Sequence, residues 1–354
     1  MKKLKKILKI TLFSVLGVIA VAAACVWMEF GDLVQGAQSV QKLDDGLYYM
    51  EFSGDDGWEE LMQRGGIANY EDLTDYVIHF LSKGHSGRKI ETKEAGFGCS
   101  ALTVRTPDQG VLMGRNFDFP SATGVVLRTR PKHGYATLTT FNIEFFHFSD
   151  DFKPEGFVNQ YLTLTCLFCA VDGINEKGLA IADLMAGDTV QTRQHTGRPS
   201  LNTTGAIPYL LKNAATVDEA LTLLKGLDIF SDIGAAHHFA MADASGRSVV
   251  VEYVDNEMVV VESPAVANHY LCEAKRNVGL REGDLRYEKL CSRYEQADGV
   301  MDASALTEAI CEVAQAEVPG KFLGTAWTMV MDLKHPAVTY YARRHFDKPF
   351  RFEL

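Results

Sequence analysis

A thiol, a guanidinium and a carboxylate fall close together between Gly98 and Pro120, and they are the chain's best candidates for chemistry. Gly98-Cys99-Ser100-Ala101-Leu102-Thr103-Val104-Arg105 and Val111-Leu112-Met113-Gly114-Arg115-Asn116-Phe117-Asp118-Phe119 are apolar, β-prone arms. Between them Pro107-Asp108-Gln109-Gly110 supplies Pro and Gly where a tight connection needs them, so the spacing predicts a hairpin. A hairpin returns its end to its start, which brings Arg115 and Asp118 back toward Cys99 at one edge of a sheet. A thiol is a nucleophile only when a base takes its proton or positive charge holds the thiolate. Arg115 supplies charge, and Asp118 can hold Arg115 or a nearby amine in place. The missing part is a base, since no His lies close in sequence. One economical source is a free α-amine on Cys99 itself, whose ordinary pKa of about 7.7 to 8.0 suits proton transfer near neutrality. Without that amine, the segment reads more simply as a buried Cys on a strand beside a surface Arg/Asp pair.

The ordered run Cys-Ser-Ala-Leu-Thr-Val, Asp-Gln-Gly, Gly-Arg-Asn-Phe-Asp resembles the start of the mature chain in the choloylglycine hydrolase family, which includes bile salt hydrolases and penicillin V acylases. It also resembles the related acyltransferase and acid-ceramidase branch of the N-terminal nucleophile hydrolases. Cys99 precedes Arg115 by sixteen residues, as in those families. Further matches are Asp172-Gly173-Ile174-Asn175-Glu176-Lys177-Gly178-Leu179, Ala267-Asn268-His269, Arg286-Tyr287 and Thr325-Ala326-Trp327-Thr328.

The resemblance implies an α+β fold, a four-layer αββα sandwich of two antiparallel sheets with helices outside. It implies that Cys99 is a nucleophile exposed by autocatalytic cleavage at Gly98–Cys99. Arg115, Asp118 and Arg286 would organise the pocket, and Asn268 would supply an oxyanion-hole amide. Arg293-Tyr294 repeats the Arg-Tyr dipeptide, so the second arginine stays open between Arg286 and Arg293. Met185 stands where the bile salt hydrolases carry an Asn that donates to the oxyanion. A thioether cannot donate, so either a backbone N–H takes that role or the protein departs from that branch. The implied reaction is hydrolysis of a linear N-acyl amide through an acyl thioester, with a small-molecule substrate and no metal or organic cofactor. A membrane-anchored acyltransferase or a non-catalytic binding module on the same fold is the alternative.

Upstream, Met-Lys-Lys-Leu-Lys-Lys-Ile-Leu-Lys is followed by an uncharged run from Ile10 to Met28. Nineteen residues are enough to span a bilayer, and the preceding lysines fit the positive-inside pattern. Ala22-Ala23-Ala24 before Cys25 resembles a cleavage region, while the run's length suits an uncleaved anchor. Residues 1–28 therefore read as a signal peptide or signal anchor, residues 29–98 as a pro-segment or small subunit, and residues 99–354 as the catalytic domain, placed outside the cytoplasm. The formal charge is −11, and removing the five lysines of residues 2–9 leaves −16, which argues against nucleic acid as a partner. A homo-oligomer stays open.

Seven cysteines do not make a dense disulfide framework in 354 residues. Cys166 and Cys169 have CxxC spacing, but the apolar run around them reads as a buried strand, and a thiol oxidoreductase is the third and weakest option. Cys272, Cys291 and Cys311 leave room for one disulfide pair.

The elements that must position the site follow from pattern. Leu47–Phe52 reads as a strand, Tyr70–Leu81 as an amphipathic helix, and Lys83–Gly98 as an exposed linker where cleavage would be accessible. Residues 124–131 and 135–142 alternate as strands extending the hairpin's sheet, and Phe141, Phe145, Phe146, Phe148, Phe152 and Phe157 either line an acyl pocket or pack as core. Asp172–Lys177 is a polar turn into a strand from Gly178. Thr203–Asn213 and Thr216–Leu227 read as paired helices, and 238–243, 248–253 and 257–261 as a meander forming a second antiparallel sheet. His237 and His238, adjacent on a strand, face opposite ways and are read as structural. Residues 325–332 and 336–342 close the fold, with Trp327 in the core.

Overall fold

The computed structural model describes residues 2–85, 91–92, 98–149, 151–231, 234–320, 322 and 324–354. The predicted hairpin forms from Gly98–Arg105 and Val111–Asp118, paired in register from Gly98 opposite Asp118 to Arg105 opposite Val111. Gln109 takes a left-handed φ of 64° in the turn, beside the Gly110 that closes it. The hairpin sits in a six-stranded sheet between Ala265–Val266 on one side and Thr325–Asp332, Ala337–Ala342 and Phe350–Glu353 on the other.

The second sheet has nine strands. In spatial order they are Gln41–Asp44, Leu47–Gly54, Gly124–Pro131, Thr137–Asn142, Asp172–Asn175, Ala180–Met185, His237–Ala242, Ser248–Val254 and Glu257–Glu262. This corrects two expectations. Residues 124–142 join the meander's sheet and not the hairpin's, and Asp172–Asn175 is a strand in its own right, hairpinned onto Ala180–Met185. The sheet is antiparallel except where Leu47–Gly54 runs parallel to Gly124–Pro131. That exception is a strand from the segment upstream of Cys99.

The two sheets pack face to face around one large core, to which Cys99, Met113 and Phe117 contribute from one sheet and Val125, Ile174 and Ala180 from the other. Alternation decides this: odd-numbered residues of the first hairpin strand point inward, while Leu102 and Val104 point outward into a smaller cluster with Leu306 and Ile310. Helices cover the outer faces. Thr203–Asn213 lies on the nine-stranded sheet, and Arg286–Gln296 and Ala303–Glu312 lie on the six-stranded one. Thr216 caps the helix Val217–Lys225, accepting from the Glu219 N–H as the sequence pattern requires.

The helix at Tyr70–Ser82 forms as read, capped by Asn69. The expected linker over 83–98 lies largely outside the described residues. Cys166 lies in a 3₁₀ helix, Thr163–Leu167, and Cys169 just beyond it, so the predicted buried strand is replaced by buried helical turns. All seven cysteines are free, so no disulfide joins Cys272, Cys291 and Cys311.

Candidate active site

Cys99 is the second residue of an inner strand, and its side chain is fully buried between the sheets. Its backbone N–H donates to Asn268 Oδ1 at 2.7 Å. The Asn268 amide nitrogen donates to the Met185 carbonyl at 2.8 Å, which leaves one of its two hydrogens over. Asn268 follows the edge strand Ala265–Val266, which pairs with Leu102 and Ala101, and this pairing carries Asn268 to the beginning of the nucleophile strand.

One guanidinium ties these groups together. Arg286 Nη1 donates to the Cys99 carbonyl at 3.0 Å and to Asp118 Oδ2 at 2.9 Å, and Nη2 donates to Asn268 Oδ1 at 2.9 Å. Asp284 holds the other edge of the fork, accepting from Nε at 2.9 Å and from Nη2 at 2.6 Å. Arg286 opens its helix, so its backbone is fixed at the helix start while the side chain reaches the sheet. Burial works against its charge, but the Asp284 hydrogen bonds and the Asp118 and Asp284 charges outweigh it and raise its pKa. Arg293 instead faces half-exposed Glu312 on the surface, so of the two candidates only Arg286 reaches Cys99.

Asp118 and Arg115 are three residues apart, and alternation sends them to opposite faces of their strand. Asp118 sits on the Arg286 side and also accepts from Thr325 Oγ1. Its pKa is raised, with burial outweighing Arg286 and Thr325. Arg115 sits on the inner face with Cys99. Its Nε lies 3.1 Å from Asp172 Oδ2, and its Nη2 donates to the Asp183 carbonyl at 2.8 Å. It packs over the Phe117 ring at 4.9 Å, and Nη1 has no hydrogen-bond partner. The anchor of Arg115 is therefore Asp172, and the reading that Asp118 holds it is corrected.

Asp172 and Thr325 were missed as contributors. Both lie in stretches singled out by resemblance, but neither pairing is visible locally: Asp172 meets Arg115 and the Trp327 indole N–H, at 3.0 Å, only through sheet packing. Trp327 is core, stacked on Phe117 at 4.1 Å. His237 Nδ1 lies 2.9 Å from Asp183 Oδ2 and His238 Nδ1 lies 3.3 Å from Glu252 Oε1, both within hydrogen-bond reach and buried.

Burial pushes the Cys99 thiol up to about 12; Arg115 opposes the shift and Asp118 adds to it. With its nitrogen in a peptide bond, this thiol stays protonated at neutral pH. A cavity of about 760 Å³ opens beside it, lined by Gly98, Asp118, Asp284, Arg286, Lys289 and Gln315. The cavity meets the Gly98 side of the Gly98–Cys99 bond, while the thiol lies behind.

Two facing sheets sandwiched by helices form a four-layer αββα arrangement, with Cys99 at the start of an inner strand. The solved structures agree: a mutant of the conjugated bile acid hydrolase from Clostridium perfringens superposes with a TM-score of 0.51 at 16% identity, covering 72% of this chain and 92% of that one. Penicillin V acylase from Agrobacterium tumefaciens gives 0.51 at 18% identity, covering 72% and 86%. In sequence, residues 99–269 match the linear amide C-N hydrolases, choloylglycine hydrolase family. A penicillin V acylase from Pectobacterium atrosepticum is 33% identical over 102 residues; the aligned stretch spans 26% of this chain and 27% of that relative.

Proposed function

We propose that this protein is a cysteine N-terminal nucleophile amidohydrolase that cleaves a linear N-acyl amide, and that it matures by cleavage at Gly98–Cys99. The observation that carries the reading is the hold of Asn268 on the Cys99 nitrogen, with Arg286 bracing Asn268, Asp118 and the Cys99 carbonyl at once.

Maturation starts with attack of Cys99 Sγ on the Gly98 carbonyl carbon. The Gly98–Cys99 amide becomes a thioester, and water hydrolyses it to a Gly98 carboxylate and a free Cys99 amine and thiol. The neutral amine has two hydrogens and a lone pair. Asn268 Oδ1 accepts one hydrogen, which leaves the lone pair to take the thiol proton. That supplies the base that the buried thiol lacks while its nitrogen is acylated.

In turnover the thiolate attacks the substrate carbonyl carbon. The remaining Asn268 hydrogen and backbone N–H groups stabilise the oxyanion, a role typically worth about 3 to 4 kcal/mol. The protonated amine gives its proton to the leaving nitrogen, and an acyl thioester forms on Cys99. Water, deprotonated by the same amine, then releases the acid. Arg115 stays on the inner face, where its unpartnered Nη1 favours the thiolate.

Of the two readings of the aromatic run, the rings pack as core. Phe117, opposite Cys99, leads through Phe119, Phe145, Phe141 and Phe146 to half-buried Phe148 and Phe152, with successive centroids 4.7 to 6.0 Å apart. Phe157 stands apart on its own helix, half exposed. After cleavage, the segment upstream of Cys99 remains bound as a smaller subunit, since it contributes two strands to the nine-stranded sheet and Leu33, Ala37 and Trp58 to the core. The helix over 2–38 is long and apolar enough to cross a membrane, and it anchors the enzyme with its catalytic body outside the cytoplasm.

The test is a panel of phenoxyacetyl, bile-acid and long-chain N-acyl amides incubated with wild-type protein and Cys99→Ala. Amine release by wild type alone supports the proposal. Equal release by both, or release by neither once the protein is matured, overturns it.

A further inference from the structure

The apolar helix does not stop where the body begins. Lys2–Gln38 is one continuous helix: residues 13–28 carry exposed apolar side chains, and Leu33 and Ala37 are already buried in the core. Gly36 seats the last turns so closely that a β-carbon there would lie 3.0 Å from both Phe52 and Leu164. No residue between Trp27 and Gln38 has positive φ, and none is proline, so nothing in this stretch acts as a hinge. At about 1.5 Å per residue, Ile10–Met28 spans roughly 28 Å, close to the ~30 Å hydrocarbon thickness of a bilayer. When that stretch crosses a membrane, Trp27 lies at the boundary, where indoles are favoured, and the folded body starts within the next turn.

Against the body-side part of this helix lies a second apolar surface. The short helix Phe157–Leu162 packs against the long helix, and Leu164, just past its end, meets Gly36. Phe157 is 50% exposed and Val158 70%, next to each other at the start of that helix. Gly156, at a φ of 76°, turns the chain out to present them.

We propose that the body rests directly on the bilayer, with Phe157 and Val158 entering the headgroup boundary as a second contact beside the anchor. The partner is a lipid surface, and the two contacts fix the body in one orientation where a flexible stalk would leave it free to turn. The inference rests on residues 10–28 spanning the membrane, and the experiment separates the two.

Full-length protein carrying Cys25→Ser, Cys291→Ser and Cys311→Ser with either Val18→Cys or Val158→Cys is labelled with an environment-sensitive fluorophore and reconstituted into phosphatidylcholine–phosphatidylglycerol vesicles. Nitroxide lipids with shallow or mid-chain spin labels serve as quenchers. The expected result is quenching of the Val18 label by the mid-chain nitroxide, with a blue shift and loss of emission at Val158 caused most by the shallow one. A quenched Val18 label with unshifted, unquenched emission at Val158 overturns the second contact and leaves the anchor standing. No quenching at either site, or loss of the Val18 label with a cleaved leader, overturns both.

Discussion

Replacing Arg286 separates its charge from its geometry. The guanidinium makes five hydrogen bonds, to the Cys99 carbonyl, Asp118, Asn268 and both oxygens of Asp284. Arg286→Met leaves Asp118, fully buried, without its cation. Removing one partner of a buried pair typically costs about 3 to 5 kcal/mol, which a urea titration would show as a lower midpoint. Arg286→Lys keeps the charge near Asp118 but cannot fork between Asp118, Asn268 and the Cys99 carbonyl. It should fold with a smaller loss, yet Asn268 loses its brace and the Cys99 nitrogen its fixed position. A displacement of about 1 Å at a reacting group can cost about a hundredfold in rate, and that is the loss expected for Arg286→Lys. The assay needs no known substrate: the rate at which the Gly98–Cys99 bond breaks is read by gel and mass. Processing by Arg286→Lys within about threefold of wild type, well short of the hundredfold expected from misplacement, would refute the bracing argument.

Three further outcomes follow from the packing. Asp172→Asn keeps an acceptor for the Trp327 indole but removes the charge beside Arg115, so stability should fall by about 3 to 5 kcal/mol in urea; a loss below about 1 kcal/mol would show that Arg115 does not depend on Asp172. The Asp284 carboxyl is held below its usual range, because the Arg286 hydrogen bonds and charge outweigh burial. Its stabilisation is therefore complete above the unfolded value of about 3.9 and is lost as pH falls through the lower folded value, so acid unfolding of Asp284→Asn should differ from wild type in having lost this sensitivity below about pH 4. Gly36→Leu forces a side chain against Phe52 and Leu164 and should cost about 1 to 3 kcal/mol, measured by thermal unfolding; an unchanged midpoint would mean that the helix end is loosely seated.

The nucleophile hairpin was legible because its information is local: apolar arms, a Pro- and Gly-bearing turn, and a spacing that sets the register. The same parity places Arg115 and Asp118 on opposite faces, a consequence of a three-residue offset that the hairpin reading alone did not draw. Which sheet a strand joins was not legible. Residues 124–142 follow the hairpin in sequence but cross to the facing sheet, since their inward residues pack equally well against either side of one core. The partners of Arg115 were hidden for a related reason, because Asp172 arrives from the opposite sheet. The choice of Arg286 over Arg293 likewise needed three dimensions: both lie on one helix, and only the first turn points at the sheet. The CxxC run misled because an apolar run without periodicity fits buried helical turns as well as a strand.

The central claim is that the nitrogen of Cys99 becomes a free amine beside its own thiol. Intact-mass measurement with N-terminal sequencing of purified protein, alongside Cys99→Ala, tests it most directly. The account predicts a fragment beginning at Cys99 in wild type, with the anchored segment that ends at Gly98 copurifying, and an uncut chain in the variant. An unprocessed chain that hydrolyses amides, or cleavage at this bond in Cys99→Ala, would contradict it.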